Sequence, residues 1–479
     1  MRKENLLGIT VKKKDDLSEW YTQAIQKAEL IEYTKVSGCI VMRPWSYKIW
    51  ELLQGFFNAE FSRRGVENTS FPSLIPESLL LKEKEHVEGF SPEVAWVTHS
   101  GETKLAERLA VRPTSETIMY DAFRKWIRSH RDLPLKINQW CNIIRWEFKH
   151  PVPFLRGREF LWQEGHTAFA TKQEAEEEVM DILNLYQRAY EELLAVPVVP
   201  GKKTPSEKFA GAEYTLSIEA VFPNGKGVQA ATTHLLGQNF AKAFDIVFLD
   251  KQQKKQHPWQ NSWGFSTRSL GIMLATHGDD KGIILPPKVA PLHAVIIPII
   301  TDETKKDVLG AARELAKGLA QLFRVKLDDR DAYTPGWKYN YWELKGVPVR
   351  IEIGPRDVAA QSVVLARRDT GAKTSVPLRT LQKELQQTLQ DIQDNLLASA
   401  KNLLASKTVQ AKTVADIKRA VENGCVAEGL WDGTAESEQA IKEETGAKIL
   451  NIPFENQRVS GNSVTGTKAK HRVLFGKSY

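Results

Sequence analysis

Cysteine is scarce. The 479-residue chain holds three, Cys39, Cys141 and Cys425, far apart and without CxxC spacing. That excludes a disulfide framework and a cysteine-rich metal site. No stretch approaches 18 apolar residues, and HAVIIPII (His293 to Ile300) has the length of a buried strand, so no membrane-spanning helix is expected. The opening MRKENLLGIT is too short in apolar run for a signal peptide. A soluble, cytoplasmic protein with no membrane partner is expected. GxxxxGK[ST], GxGxxG, HExxH and the nucleophile elbow are all missing, which removes the glycine cradle for phosphate, the zinc helix and the serine hydrolase turn. Internal repeats and low-complexity tracts are missing too. Charge of one sign is only in modest excess, +7. That favours a polyanion partner and equally suits a merely basic soluble protein.

Hydrophobic content of 42% and charged content of 26% are ordinary for a globular chain, and the length suits two to four domains. A helix pattern covers Leu17 to Ile31. GCIVMRP (Gly38 to Pro44) reads as a strand ended by proline. The helix after it carries Tyr47, Trp50, Leu53, Phe57 and Phe61 at three-to-four spacing, a core face or a subunit interface. Gly65 ends that helix and Val66 to Pro72 reads as a strand. Leu135 to Glu147 and EFLWQEGHTAFA (from Glu159) read as two antiparallel strands joined by a charged loop, Lys149 to Arg158. A helix over Thr171 to Leu194 and a hairpin turning at Asn224-Gly225 follow. The expectation is α+β, a mainly antiparallel sheet with helices. After Pro286-Pro287 strands and helices alternate from Leu292 to about Ser375, the mark of a separate α/β domain. The division is 1–287 for this α+β unit, 288–380 α/β, 381–407 a helical linker and 408–479 a small α/β C-terminal domain.

Three segments carry the chemistry. On the strand EFLWQEGHTAFA, Phe160, Trp162, Glu164, His166 and Ala168 share a face. Trp162 offers an apolar wall, Glu164 an acceptor for a cation and His166 a polar handle, a set suited to a small ammonium. A satisfied buried Glu–His or Glu–Arg pair explains them equally. Arg145 and Glu147 share a face of the preceding strand with Gln139, Cys141 and Ile143, and the loop adds Arg156 and Arg158. Such arginines can clasp phosphates, or be solvated loop charges. In RPTSE, Thr114 or Ser115 suits the cap of a helix continuing to Ser129, and Thr114 and Glu116 also stand at a strand-to-helix junction opening into a cleft. In NSWGFSTRSLG, Arg268 lies between Gly264 and Gly271, where it can lie flat on a base. In GVQAATTH, parity splits Gln229 from Thr232. Both can face one site only if the strand breaks or bulges near Ala231.

RPTSE, RWE, FLWQEGH, SWGFSTR, HGDDKGIILPPKVAP, GWKYNYWELKGVPVRIEIGPRD and the terminal FGKSY, in that order, resemble the class II aminoacyl-tRNA synthetases. More narrowly they resemble the archaeal and eukaryotic-like prolyl-tRNA synthetases, from about Ser18 to Tyr479. The resemblance implies a class II catalytic fold, an anticodon-binding α/β domain, and a homodimer built on the helix and strand ending at Pro72. It implies ATP and Mg²⁺, L-proline and tRNA(Pro), with no DNA partner. Arg145, Arg156 and Arg268 would be catalytic. Thr114, Glu116, Arg145, Trp162, Glu164, His166 and His234 would surround proline. Arg145, Glu147, Arg156, Gln229, Thr232, Ser266 and Arg268 would hold ATP. Glu343, Arg350 and Arg356 would read the anticodon guanines. Many relatives bind zinc through C-terminal cysteines. Here only Cys425 is present and WDGTAESE (Trp431 to Glu438) stands where a pair would be sought, so no structural zinc is expected. Nothing between Arg145 and Arg268 leaves room for an editing insertion, so alanine would be rejected only ~10–200-fold by size. The rival readings are a catalytically inactive synthetase-like tRNA-binding protein and a synthetase of the same subclass for another amino acid.

Overall fold

The computed structural model describes residues 8–86, 93–147, 150–455 and 457–479. The first seven residues of the opening segment and Lys149 of the charged loop lie outside them. The floor of the molecule is a sheet whose central strands run in the order Tyr214–Val221, Gly227–Gly237, Trp259–Ser266, Glu159–Phe169, Leu135–Ile144, all antiparallel to their neighbours. Register pairs Gln139 with Glu164 and Cys141 with Trp162. The side-chain alternation of one strand thus continues across the next.

The opposite face of this sheet is covered by two helices. Pro44–Arg63 starts with proline at its first position, where a missing N–H costs nothing. It buries Trp50, Leu53, Phe57 and Phe61, and Phe57 lies 4.7 Å from the Phe265 ring. This face is core; Tyr47, expected on the same face, is 42% exposed. Lys172–Arg188 is opened by a capping box between Thr171 and Glu174 and ends in a π turn, Ala189–Leu193.

Local spans differ from the sequence reading at several points. The strand expected to reach Glu147 stops at Ile144. Only Glu67–Asn68 of 66–72 is a strand, paired in parallel with Ile137 and Asn138. The helix after RPTSE is Glu116–Trp126, and neither hydroxyl caps it through a side chain. Both are drawn elsewhere, as shown below.

Val325–Leu327, Ala294–Pro298, Val349–Ile353, Ser362–Arg367 and Lys373–Pro377 form a second sheet in that order, parallel for the first three and antiparallel after. The helix Leu381–Lys407, expected as a linker, is part of this unit's core. Its Leu385, Leu389, Ile392 and Leu396 stripe at three-to-four spacing is sealed against the sheet.

The C-terminal strands do not form a sheet of their own. Lys448–Pro453 pairs with Val199–Lys202, so one eleven-stranded sheet runs through both units. Gly201 makes the seam possible, since a Cβ there would lie 2.4 Å from the Ile452 carbonyl oxygen. Asn451 Nδ2 donates to the Val199 carbonyl at 2.8 Å, and Lys203 Nζ to the Leu450 carbonyl at 2.6 Å. The terminal Tyr479 folds back beside Phe222, ring centroids 4.9 Å apart, and its N–H donates to the Gly227 carbonyl.

Candidate active site

One cleft on the exposed side of the central strands is lined by Thr114, Glu116, Arg145, Trp162, Glu164, His166, Gln229, Thr232, His234, Ser266 and Arg268. They converge because the antiparallel register sets Trp162, Glu164 and His166 beside Ser266, Gly264 and Ser262, and the latter two beside Thr232 and His234. The bulge that the parity of Gln229 and Thr232 requires is present. Ile218 pairs with Ala231 and Glu219 with Gln229, so Ala230 is the extra residue and the strand turns over between the two side chains.

Glu164 is buried and held by three donors. Ser115 donates to it, Gln139 Nε2 donates at 2.7 Å, and His166 Nε2–H donates to the second oxygen at 3.0 Å. Burial alone would push this carboxyl up. The His166 contact, with Ser115 and Gln139 behind it, holds it below the ordinary carboxylate range. For His166 burial works downward, but the Glu164 bond and the charges of Glu116 and Glu164 raise its pKa. Thr114 gives its hydroxyl to Glu116. Ser115 and Thr114 are therefore spent on the cleft and not on the helix end.

His234 is the contrasting imidazole. Burial first, then the positive neighbours His166 and Arg145, push it down to about 3, so it is neutral and paired with the Thr215 hydroxyl at 2.9 Å. Burial and the Glu164 charge push the Cys141 thiol up, which keeps it protonated and unreactive.

Arg145 follows the end of its strand; its N–H donates to the Arg158 carbonyl and its Nε to the Pro113 carbonyl at 3.0 Å. The guanidinium lies 5.4 Å from the Trp162 ring centroid, so it is aimed by an aromatic face as well as by a carbonyl. Arg268 begins the helix Arg268–His277 and is fixed by the Leu155 and Gln229 carbonyls, both at 3.1 Å. Burial lowers the pKa of both arginines, yet a guanidinium stays charged. Two fixed cations over a polar cleft make an anion site without a glycine cradle.

Two expected members stand outside this lining. Glu147 is exposed in a turn beyond the strand and acts on Arg145 only through its charge. Arg156 lines a neighbouring cavity with Tyr21, Lys226 and Tyr479, from which its charge still reaches Arg268. Conversely, Phe160, Glu207, Phe209 and Thr215 line the cleft and were not singled out for it. Phe209 packs 4.7 Å from the His234 ring. Glu207 and Phe209 sit in a loop with no local pattern, Thr215 lies on the strand Tyr214–Val221 opposite His234, and Phe160 shares the strand face of Trp162, Glu164 and His166.

Glu116, Glu164 and His166 place ligand atoms within 4.8 Å of one another, the one group of metal-like spacing among the described residues. Its imidazole is held by Glu164 on one side and Tyr120 on the other. A raised pKa favours a proton there over a metal ion, and the set fits an organic cation.

In the second unit Arg350 Nη1 donates to Glu343 at 2.9 Å and its Nε to Glu352 at 2.9 Å, while Arg356 lies exposed on the short helix Pro355–Ala359. Glu343 and Arg350 form a preset acceptor–donor pair; no contact joins Arg356 to them.

Three family models match the chain: the tRNA synthetase class II core domain (G, H, P, S and T) over residues 98–277, the anticodon binding domain over 293–388, and the prolyl-tRNA synthetase C-terminal domain over 414–479. The chain is 49% identical to the cytoplasmic proline–tRNA ligase of Arabidopsis thaliana, over all of this chain and 92% of that one. It is 48% identical to the proline–tRNA ligase of Alkaliphilus oremlandii, over 97% of this chain and 96% of that one. It also matches the bifunctional glutamate/proline–tRNA ligase of Cricetulus griseus at 48% identity, spanning about a third of that protein's length. With an open-faced cleft of two arginines beside an acid–imidazole niche, and with the Arabidopsis and Alkaliphilus relatives alike over nearly their whole length, the chain belongs to the proline–tRNA ligase family of class II synthetases.

Proposed function

We propose that the chain attaches L-proline to tRNA(Pro) in two ATP-dependent steps. The observation that carries this reading is the meeting of Arg145 and Arg268 with Glu116, Glu164 and His166 in one cleft. In the first step a proline carboxylate oxygen attacks the α-phosphorus of ATP, the bond to the bridging oxygen breaks, and prolyl-adenylate and pyrophosphate form. In the second a terminal ribose hydroxyl of the tRNA attacks the prolyl carbonyl and AMP leaves. Neither step needs a protein nucleophile, so catalysis is alignment and charge neutralisation.

Arg145 stands between the two halves of the cleft, where it can hold the substrate carboxylate and the α-phosphate together. Arg268, pinned by two carbonyls, takes the phosphate and base side with Gln229, Thr232 and Ser266. Arg156 supplies positive charge from the loop for the γ-phosphate. Glu116, Glu164 and His166 take the cyclic ammonium, walled by Trp162 and neutral His234. Mg²⁺, when bound with ATP, supplies further neutralisation of the triphosphate. Gln229 offers a side-chain oxygen in the cleft that suits a hard cation, while its cross-strand partner Glu219 is buried outside the lining and paired with Lys203 at 2.7 Å. Glu343 and Arg350 would read the anticodon, with Arg356 at the margin. We extend the reading to a homodimer: Leu74, Leu81 and Trp126, beyond the segment that ends at Pro72, are 39%, 50% and 46% exposed, large apolar side chains in want of cover.

Amino-acid-dependent exchange of labelled pyrophosphate into ATP tests this reading. Exchange with proline, and with no other amino acid at comparable efficiency, is expected. Exchange with none would install the inactive tRNA-binding reading, and preference for another amino acid would transfer the chain to a sister specificity.

A further inference from the structure

The last residue of WDGTAESE reaches out of the C-terminal unit that carries it. Glu438 lies in the first turn of the helix Ala435–Thr445 and is buried. Both its oxygens accept from the unit that holds the cleft: the Thr204 hydroxyl donates to Oε1 at 2.8 Å and the Ser206 hydroxyl to Oε2. Lys448, the first residue of the strand Lys448–Pro453, adds an ion pair to Glu207 at 2.7 Å. Thr204, Ser206 and Glu207 belong to the loop between the strands Val199–Lys202 and Tyr214–Val221, and Glu207 and Phe209 of that loop line the cleft.

These contacts fall where the loop takes its shape. Thr204 is wholly buried, and its carbonyl accepts the Glu207 N–H at 3.1 Å and the Lys208 N–H at 3.0 Å. One residue therefore closes the turn with its backbone and is held by Glu438 through its side chain. Leaving the turn, the Phe209 N–H donates to Thr215 Oγ1 at 2.9 Å. That contact uses an oxygen lone pair and leaves the hydroxyl proton for His234 Nδ1, also at 2.9 Å. The Phe209 ring lies 4.7 Å from the His234 ring. The niche wall that His234 forms is thus backed, through Phe209 and Thr215, by a turn whose side chains are held from the C-terminal unit.

The turn has little else to fix it. Pro205, Ser206 and Lys208 are exposed, so apolar burial contributes little between Thr204 and Phe209. The Glu438 contact is the stronger tie, because its oxygens and the Thr204 hydroxyl are out of water. The Lys448–Glu207 pair is the weaker one, since both side chains are about a quarter exposed and water screens them.

We propose that Glu438 and Lys448 are positioning residues for the amino-acid side of the cleft: they hold the 204–209 turn so that Phe209 and Thr215 keep His234 in place as a wall for the substrate ring. The proposal rests on the proline reading for the identity of the guest. It gives the C-terminal unit a task in selecting the amino acid. It gives that unit none in holding ATP, whose arginines are fixed instead by the Pro113, Leu155 and Gln229 carbonyls. Proline leans its ring on the wall, whereas alanine offers only a methyl, so a loosened wall costs proline more.

The test is pyrophosphate exchange by the full chain, with proline, alanine and ATP each varied. Glu438→Ala should raise the KM for proline roughly 5–20-fold, change kcat far less, and leave the KM for ATP within about twofold. It should also narrow the proline-over-alanine ratio of kcat/KM several-fold. Glu438→Gln keeps an acceptor for Thr204 and offers Ser206 a donor, so it should recover most of the loss. Lys448→Met should act in the same direction by less, with Lys448→Arg recovering. Thr204→Val removes the tie from its other end, and combined with Glu438→Ala it should be no worse than Glu438→Ala alone. Melting each variant shows that it is folded; should Glu438→Ala fail to fold, Thr204→Val and Lys448→Met carry the same comparison. Hydrogen exchange supplies a readout without turnover: the 204–209 amides should quicken in Glu438→Ala while Glu159–Phe169 stays protected. Proline and ATP KM values rising by the same factor, an unchanged proline-over-alanine ratio, or unaltered exchange in 204–209 overturns the proposal and leaves the contacts with a merely structural role. A parent protein that exchanges with another amino acid overturns the proline reading instead, and the same KM comparison with that amino acid then decides the proposal.

Discussion

Arg368 grips Asp279 with two parallel hydrogen bonds, 2.8 and 2.6 Å, and from the same pose donates to the Glu343 carbonyl at 2.8 Å. Asp279 follows the helix that begins with Arg268, and Glu343 belongs to the second unit's acceptor–donor pair. One arginine thus ties the end of the phosphate-site helix to the element proposed to read the anticodon. Burial alone would raise the Asp279 carboxyl, but Arg368 pulls it below its usual range. Arg368→Ala should therefore destabilise by about 2 kcal/mol near neutral pH, less than the ~3–5 of a fully buried pair because the Asp279 side chain is 41% exposed. A lowered folded-state pKa stabilises above the unfolded aspartate value, about 3.9, and is lost as pH falls through the folded one. Thermal melts at stepped pH check this. A gap between parent and variant that stays constant from about pH 7 to 3 would remove the ion pair from the explanation.

Arg145→Ala and Arg268→Ala should each cost ~3–4 kcal/mol of transition-state stabilisation, the size of a lost preorganised contact to developing charge. Arg268→Lys should recover little. A lysine cannot keep the Leu155 and Gln229 carbonyls and face the cleft at once, as the forked guanidinium does. Pyrophosphate exchange is the measurement. Rates within threefold of the parent would take both arginines out of the chemistry.

Gly165 lies between Glu164 and His166, and a Cβ there would sit 2.1 Å from the Trp263 ring. That ring is buried against Phe61, 5.2 Å away, so it cannot give. Gly165→Ala should cost about 3 kcal/mol, the upper range of overpacking, and should displace the two acid–imidazole side chains with it. Tm and proline KM should both worsen. Adding Trp263→Leu, which empties the clash, should restore part of the Tm. A Gly165→Ala protein that melts with its parent would contradict the packing described.

Much of this site was legible because strands alternate. Trp162, Glu164 and His166 share a face by parity, and the awkward spacing of Gln229 and Thr232 called for the bulge that Ala230 supplies. What was not legible was tertiary. Ser115 reads as a helix cap, since cap geometry is local, whereas its hydroxyl reaches a carboxylate 49 positions on. The apolar face of Leu381–Lys407 reads as a linker helix because sequence shows a stripe but not what covers it. The seam between Val199–Lys202 and Lys448–Pro453 joins strands that no periodicity connects. Two had a usable signal: Tyr120 its one-turn spacing from Glu116, and Phe160 the strand face it shares with Trp162.

The same contrast appears in WDGTAESE, the segment where a cysteine pair would be sought. Asp432 is 6% exposed and fills that place with oxygen chemistry. Ser437 donates to it at 2.5 Å, Thr434 at 2.9 Å and Thr467 at 2.6 Å, and Ser463 bridges Thr465 and Thr467 beneath. Burial would raise this carboxyl, yet the Ser437 and Thr467 hydroxyls pull it down to about 2. Two chain segments, 432–437 and 463–467, meet at one carboxylate, the kind of cross-link a metal ion can also supply. Asp432→Ala leaves several hydroxyls without an acceptor and should cost about 2–3 kcal/mol, at ~1–3 for each buried donor left unmade with partial relaxation. Asp432→Asn keeps one acceptor oxygen and should cost less. The loss should localise: hydrogen exchange should quicken in 426–476 while the central strands of the cleft stay protected. Chelators should leave Tm unchanged for parent and variants alike. Stoichiometric zinc by metal analysis, or a Tm that falls on chelation, would mean that a metal rather than the Asp432 carboxylate holds these segments.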